Sequence, residues 1–275
     1  MTTKVKRTTV RKRAGTSSLE KSSGAAPAGP QIAGRLPGQV KYLKGALFGP
    51  PKTGKTTAAT SGRDTLLIQF DPDGDITETL QGRTDITVME PQTFKETEEI
   101  VRALATTDAG LFPFVTVDSV GFMFQKFGGR EINQAYMDNK NIMRPYGKAG
   151  AAASQIIHDL VSLPLHVIFT AHLQREDGDD DSVAQETALG EHEVRLAVTP
   201  MVWKTLGPAV SFIGRTYKET VYEKEGKTRN KKTIYRVSFN DGERSPAGAR
   251  ITLPGEVEIT TSLMQELADK LESEV

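Results

Sequence analysis

Residues 47–60 read LFGPPKTGKTTAAT, and this stretch indicates the fold more strongly than any other part of the chain. From Gly49 to Thr56 it fits the pattern G-x-x-x-x-G-K-[ST] of a phosphate-binding loop. Its two glycines allow the backbone to curl so that several N–H groups point at phosphate oxygens, and the helix that follows adds the positive end of its dipole. The residues expected to contact a nucleotide are Gly49, Pro50, Pro51, Lys52, Thr53, Gly54, Lys55, Thr56 and Thr57.

The surroundings of this loop support that interpretation. Residues 40–49, VKYLKGALFG, predict a strand that runs into the loop, and residues 56–61 begin the following helix. Lys55 is then expected to contact the β- and γ-phosphates of ATP, and the hydroxyl of Thr56 to coordinate Mg²⁺. The alternative, a chance turn rich in glycine and lysine, requires no strand before it and no helix after it.

A downstream carboxylate completes the predicted magnesium site. Residues 114–120, FVTVDSV, contain a short apolar run that is typical of a buried strand, and Asp118 stands at its end. A strand-terminal aspartate in this position, the Walker B aspartate, holds the magnesium ion in P-loop proteins. The alternative is that Asp118 only caps the helix that follows.

Two further positions are candidates for the hydrolysis step. The segment 70–75, FDPDGD, follows a predicted strand and supplies Asp71, Asp73 and Asp75, of which Asp73 is expected to orient or deprotonate the attacking water. Asp-Pro-Asp-Gly is also a good turn sequence, so a simple acidic turn is the alternative. His172 ends a later predicted strand and is expected to contact the γ-phosphate, unless it is only a hydrogen-bonded histidine at a strand edge.

The composition is ordinary, but the charge is unevenly distributed. Of the 275 residues, 25% are charged and 37% are hydrophobic, and the formal net charge is zero. Residues 1–35 carry eight basic residues against one acidic residue, a net charge of +7, whereas residues 256–275 carry six acidic residues against one lysine, or −5. The basic head is either a solubilising arm or a nonspecific tether for nucleic acid.

The lack of cysteine and of long apolar runs indicates in which cellular compartment the protein works. Without cysteine, disulfides and Cys-ligated zinc are excluded, and a reducing, cytoplasmic location is expected. No apolar run approaches the roughly 18 residues that span a bilayer, so no membrane partner is expected. We predict a disordered basic arm at residues 1–38, an ordered nucleotide-binding core at 39–245 and a C-terminal extension with an acidic helix at 246–275.

Strands and helices alternate through the predicted core. Beyond the phosphate loop, strands are predicted at 65–71, 85–90, 114–120 and 165–172, and helices at 93–106 and 151–163. This alternation predicts an α/β fold with a mostly parallel sheet flanked by helices. After a long loop at 176–193, an antiparallel extension of the sheet and a terminal helix are predicted at 209–217, 232–241 and 262–274.

With these motifs in place, residues 40 to 240 resemble the core of RecA-type ATPases, and more closely the short RecA-like single-strand annealing ATPases of bacteriophages. GPPKTGKTT matches the phosphate loop of that family, and VDSV (117–120) matches its Walker B segment. FDPDG stands where the recombinases have an Asp-x-Glu stretch, so Asp73 replaces a glutamate. FTAH (169–172) stands where they place a polar sensor, commonly glutamine. The resemblance implies that the sensor strand lies between the phosphate-loop and Walker B strands.

The same resemblance implies a function. A member of this family would use ATP and Mg²⁺, bind single-stranded DNA and promote annealing or homologous recombination. It would form a homo-oligomer, a ring or a filament, because RecA-type sites lie at subunit interfaces, and a single-strand-binding protein is a further candidate partner. A phage-encoded protein of this kind would work in the host cytoplasm.

RecA-type proteins bind DNA through two loops, after the Walker B segment and after the sensor strand. The first corresponds to residues 125–150, which combine cations for phosphates with Tyr136 and Tyr146 for base stacking; an ordinary solvated helix and loop is the alternative. The second contains EDGDDD, which would repel DNA. A basic turn with Lys224, Lys227, Arg229, Lys231 and Lys232 is a weaker candidate. The candidates in the first segment are Lys126, Arg130, Lys140, Arg144 and Lys148.

Three other functions remain open on the sequence alone. The chain could use ATP only as a ligand for assembly on DNA, with little turnover. It could be an AAA+ motor or loader that acts on a protein partner, although Ser119 follows Asp118 where that class usually has glutamate, and no helical lid is predicted. A small-molecule kinase would need an acceptor pocket and an arginine-rich lid, and no segment indicates either.

Overall fold

The computed structural model describes residues 42–71, 80–106, 111–175, 194–225, 228–240 and 245–273. The predicted arm at 1–38, the predicted loop at 176–193 and Asp73 lie outside these residues. In chain order the elements are β1 (Lys44–Gly49), α1 (Lys55–Ala59), β2 (Thr65–Gln69), β3 (Ile86–Met89), α2 (Phe94–Thr106), β4 (Phe114–Asp118), α3 (Val120–Met137), α4 (Met143–Ser162), β5 (His166–Arg175), β6 (Val194–Leu196), α5 (Pro200–Ala209), β7 (Phe212–Glu225), β8 (Thr228–Ser238), β9 (Gly248–Ala249), β10 (Glu256–Glu258) and α6 (Leu263–Ser273).

The described strands form one sheet in the order β10-β8-β7-β1-β5-β4-β2-β3, with β6 beside β5 and β9 beside β7. All pairs from β7 to β3 are parallel, and β8 and β10 continue the sheet in antiparallel fashion. The predicted α/β class is therefore confirmed: a mostly parallel sheet flanked by helices, with an antiparallel C-terminal extension. Strand β5, which contains His172 and continues to Arg175, lies between β1 and β4 as the resemblance implies.

The central strands are buried on both faces, which explains their nearly continuous apolar sequences. Along β1, Ala46 and Phe48 belong to the core cluster under α2, α3 and α4. The alternating Leu47 belongs to the opposite cluster, where α1 and α6 pack. Because side chains of a strand point alternately to the two faces, one short strand anchors both layers of helices. Among the described residues, no helix is long and apolar enough to cross a bilayer.

Residues 125–150 are not a loop, so this expectation from the sequence is wrong. Helix α3 continues to Met137 and α4 begins at Met143. The loop was expected only from the resemblance to RecA-type proteins. A Cβ at Gly128 would lie 2.3 Å from the Cβ of Ala149. Glycine is used here for close packing of two helices rather than for a turn. Pro145 is tolerated because it lies in the first turn of α4, where a backbone N–H has no intrahelical partner.

The C-terminal part differs from the prediction in extent. The turn predicted between residues 217 and 232 is shorter, because β7 continues to Glu225 and β8 begins at Thr228. Helix α5 was not predicted, although Thr199 and Pro200 gave a start signal: the Thr199 hydroxyl accepts the Val202 N–H at 3.4 Å. Short strands β9 and β10 attach the residues after 245 to β7 and β8.

Candidate functional site

The phosphate loop lies at the carboxyl end of β1, between the neighbouring strands β5 and β7. Gly49 pairs with His172 across β1 and β5. On the other side, β7 comes so close that a Cβ at Gly49 would lie 2.4 Å from the carbonyl oxygen of Thr216. The Thr216 hydroxyl lies 2.7 Å from that of Thr53, which in turn donates to the carbonyl of Pro50 at 2.8 Å. Gly49 is thus needed for the approach of a neighbouring strand, a reason that the motif alone does not give.

The crest of the loop uses backbone conformations that favour glycine. Gly54 has φ 82° immediately before α1, and Lys52 has φ 60°. This geometry starts α1 at Lys55, and the first N–H groups of a helix have no intrahelical partner. The first turn of α1 therefore offers backbone donors to a ligand that binds at this end of the helix.

Lys55 is held close to the loop that precedes it. Its side chain is buried, and its amine donates to the carbonyls of Gly49 at 3.0 Å and Pro50 at 2.6 Å. Burial lowers the pKa of Lys55 to about 8, while the nearby carboxylates of Asp118 and Asp71 act in the opposite direction. The amine therefore lies between backbone carbonyls and acidic side chains, where an anionic group would stabilise its charge.

Asp118 at the end of β4 connects three elements. Its two carboxylate oxygens accept hydrogen bonds from the hydroxyls of Thr56 on α1 and Thr170 on β5, each at 2.5 Å. These contacts place one carboxylate and one hydroxyl beside Lys55. Hard oxygen donors of this kind are what Mg²⁺ prefers, so the residues present fit the ion that the sequence predicts.

Asp71 and His172 form the far wall of the same cleft. The His172 Nε2 atom lies 3.9 Å from the Asp71 carboxylate, and the ring packs edge-on against Phe122 with centroids 5.5 Å apart. Burial and the charge of Lys55 lower the pKa of His172, against the opposing effect of Asp71 and Asp118. This direction favours the neutral imidazole, which can both donate and accept a hydrogen bond.

A cleft of about 690 Å³ brings these groups together. It also includes two residues that sequence reasoning missed, Tyr235 on β8 and Ile259 after β10. Neither belongs to a sequence motif. Both reach the site because β8 and the segment after β10 lie beside Gly54 of the phosphate loop. The lining is Pro51, Lys52, Gly54, Lys55, Thr56, Thr57, Asp71, Asp118, His172, Tyr235 and Ile259.

Residues 41–250 match the sequence model of the AAA_24 family, which is described as an AAA domain. This match spans well over half of the chain. The chain belongs to this AAA domain family.

Solved structures similar to this AAA domain protein share little sequence identity with it. One similar structure is a RadB recombinase, with a TM-score of 0.43, 17% identity, and coverage of 80% of this chain and 90% of that one. Another is the flagellar accessory protein FlaH from Methanocaldococcus jannaschii, with a TM-score of 0.37, 8% identity, and coverage of 78% and 85%. No curated protein matches the chain in sequence.

Most predicted site residues of this AAA domain meet in the cleft. Pro51, Lys52, Gly54, Lys55, Thr56 and Thr57 line it together with Asp118 and His172. Gly49, Pro50 and Thr53 lie behind it as supports of the loop. Asp73 lies outside the described residues, so the acidic residue of the FDPDG segment that the structure does place in the cleft is Asp71.

The predicted DNA-binding candidates lie on α3, on α4 and on the turn between them, away from the cleft lining. Arg130, Arg144 and Lys148 are exposed, Lys126 is half-buried, and Lys140 is exposed but paired with Asp138 at 2.9 Å. Tyr136 is 74% exposed, whereas Tyr146 packs against Phe124. Of the two tyrosines proposed for stacking, only Tyr136 presents an open ring.

Proposed function

We propose that this protein is an ATPase that binds single-stranded DNA and promotes strand annealing or homologous recombination. The observation that carries the proposal is the meeting of Lys55, Thr56, Asp118 and His172 in one cleft at the carboxyl ends of β1, β4 and β5. Ligands of open α/β sheets bind at this edge. A lysine, a hydroxyl and a strand-terminal carboxylate are groups that P-loop proteins use to bind phosphates and Mg²⁺.

Each residue has a proposed role in hydrolysis. Lys55 and the N–H groups of the loop bind the phosphates. Thr56 and Asp118 would hold Mg²⁺, which would supply positive charge for the transferred phosphoryl group. His172 donates a hydrogen bond to the γ-phosphate. We retain Asp73 as the carboxylate that orients the attacking water. This proposal is supported by Asp71, two residues earlier in the sequence, which lines the cleft with its carboxylate 3.9 Å from the His172 Nε2 atom.

The DNA-binding proposal rests on the exposed face of α3 and α4. Arg130, Arg144 and Lys148 supply cations for phosphates, and Tyr136 offers a ring on which a base can stack. Met137 and Met143 beside it are 81% and 68% exposed, so an apolar tip accompanies the cations. Assembly as a ring or filament, cooperation with a single-strand-binding protein and a cytoplasmic location belong to the same proposal.

An ATPase assay with single-stranded DNA, duplex DNA and no DNA, run side by side, tests the proposal. We expect hydrolysis that is stimulated most by single-stranded DNA. Lys55→Ala should abolish the stimulated rate without loss of DNA binding at low salt. Intact stimulated hydrolysis in Lys55→Ala would contradict the assignment of the nucleotide site, and no affinity for single-stranded DNA at low salt would contradict the DNA-binding role.

A motor or loader that acts on a protein partner is the second candidate, because the family is described as an AAA domain. Two features weigh against it. Ser119 rather than glutamate follows Asp118, and within the described residues the core continues into β7 and β8 rather than into a helical lid. Hydrolysis that is indifferent to DNA but stimulated by a protein would favour this candidate. Saturable ATP binding without turnover would instead favour the use of ATP as an assembly ligand.

A further inference from the structure

The cleft continues past the phosphate loop toward the C-terminal extension. Tyr235 lies on β8 and Asp118 on β4, four strands apart in the sheet order, which corresponds to about 19 Å at the usual strand spacing. Both line the same cleft. A site for phosphates and a metal ion alone would not need this length, whereas a nucleoside triphosphate is an elongated ligand with a polar and an apolar end.

At β8 the cleft is lined by the side chains of Tyr235 and Ile259, which are held next to each other. The backbone N–H of Ile259 donates to the carbonyl of Tyr235 at 2.8 Å, so the two residues stay adjacent. Both lie over the loop crest: a Cβ at Gly54 would be 3.1 Å from the Ile259 Cδ1 atom and 3.7 Å from the Tyr235 ring. Tyr235 is 41% exposed and Ile259 is half-buried.

We propose that Tyr235 and Ile259 form the subsite for the base of a nucleoside triphosphate, held by stacking on the tyrosine ring and by contact with the isoleucine. This inference rests on the proposed nucleotide binding and adds to it the contribution of the C-terminal extension. It explains why two large apolar side chains stay accessible beside a loop that otherwise binds anions.

The chemistry of this subsite also limits base selectivity. A ring face and an aliphatic side chain contact the faces of a base, whereas discrimination between bases requires hydrogen bonds to their edges. The acidic residues in the cleft lining, Asp71 and Asp118, lie at the phosphate end. The site should therefore distinguish ATP from GTP by less than about tenfold, with CTP weaker than either because its smaller ring stacks over less area.

The test compares ATP with inorganic tripolyphosphate, which occupies the phosphate end alone. Dissociation constants are measured by calorimetry on the full chain with Mg²⁺. Tyr235→Ala should weaken ATP about tenfold, within the range for loss of one base–aromatic stack, and leave tripolyphosphate unchanged. Tyr235→Phe should bind ATP like the wild type. Tyr222→Ala, which removes another exposed tyrosine of the same hairpin outside the cleft, is the matched control.

Each outcome supports or overturns the subsite. Equal weakening of ATP and tripolyphosphate in Tyr235→Ala would mean that the tyrosine only supports the loop, and no weakening of either would remove it from the site. An ATP preference above about 100-fold over GTP would require edge recognition and would overturn stacking as the basis of binding. In each of these three cases the wild type would still bind tripolyphosphate, so the proposed function would stand. If the wild type bound neither ligand, the proposed function and the subsite would fail together.

Discussion

A lysine and a histidine lie at each end of the paired strands β1 and β5, but their surroundings differ between the two ends. At the carboxyl end, Lys55 and His172 line an open cleft with Asp118. At the amino end, the Lys44 amine donates to the carbonyls of Leu163 and Leu165 at 2.8 and 2.6 Å. His166 accepts the N–H of Leu43 at 3.0 Å and stacks on Phe114.

The difference shows that residue type and burial do not identify a functional site. Lys44 and Lys55 are 8% and 7% exposed, and burial lowers the pKa of both to about 8. What separates them is the neighbourhood. The Lys44 amine binds two carbonyls that follow α4. Lys55 instead lines a cleft together with carboxylates and hydroxyls and stands at the start of a helix. We expect substitutions at the first end to change stability and those at the second to change activity.

The paired variants Lys55→Met and Lys44→Met should show the largest contrast. Lys55→Met should lower ATP hydrolysis at least about 100-fold, because a preorganised cation at the phosphates is lost. Lys44→Met should lower the free energy of unfolding by about 1–3 kcal/mol, because two buried carbonyls lose their donor. Its turnover per folded molecule should be unchanged. Steady-state hydrolysis and urea unfolding measure the two effects, and equal loss of turnover in both variants would refute the comparison.

The sequence was sufficient for the parts of the site that are local in the chain. The phosphate loop, Asp118 and His172 each lie at the end of a short apolar run, and parallel strands bring such ends together at one edge of a sheet. Tyr235, Ile259 and Thr216 could not be found in this way. They reach the loop through pairings of β7, β8 and β10, and these pairings depend on strand extents that alternating polarity does not fix.

The helical hairpin of α3 and α4 illustrates a second limit. The resemblance to RecA-type proteins implied a loop at residues 125–150, and Gly128, Gly129 and Pro145 are residue types that are unfavourable inside a helix. Only the contact between Gly128 and Ala149 shows that a glycine was required for packing. Interpretation of a glycine needs the neighbour that approaches it, and that neighbour lies 21 residues further along the chain.

His166, at the amino end of β5, should make the stability of the fold depend on pH. Burial and the charge of Lys44 lower the pKa of His166 from 6.5 to about 4, with Asp269 acting in the opposite direction. Between these values the unfolded chain binds a proton that the folded chain does not, so stability falls as the pH falls from 6.5 toward 4. The loss attributable to His166 should total about 3 kcal/mol.

Urea unfolding of wild type and His166→Asn between pH 7 and 4.5 measures this effect. Asparagine keeps an acceptor for the Leu43 N–H but does not titrate, so the variant should lose less stability across this range than the wild type. If both proteins lost the same stability between pH 7 and 4.5, the pH dependence would come from other groups, and His166 would not contribute to it.

A smaller effect is expected from the hydroxyl that orients Asp118. Thr170→Val removes the hydrogen bond to one carboxylate oxygen and should weaken Mg²⁺ affinity in the presence of ATP about tenfold, as for other residues that position metal ligands. Thr116→Val is the control, because this equally buried hydroxyl donates to the Ala59 carbonyl instead. It should reduce stability without changing the Mg²⁺ titration. Equal Mg²⁺ affinities in wild type and Thr170→Val would show that Asp118 needs no such support.

The smallest change in nucleotide binding is expected for His172. Its side chain is accessible at the carboxyl end of the sheet, whereas His166 at the amino end is buried. A single hydrogen bond to the γ-phosphate contributes about 1 kcal/mol, so His172→Ala should reduce the preference for ATP over ADP about fivefold. His172→Gln keeps a donor and should retain the preference. Competition binding of ATP and ADP with Mg²⁺ measures the ratio. If His172→Ala weakened both nucleotides equally, the residue would act on the loop through Gly49 rather than on the phosphate that is released, and the two histidines would then differ only in exposure.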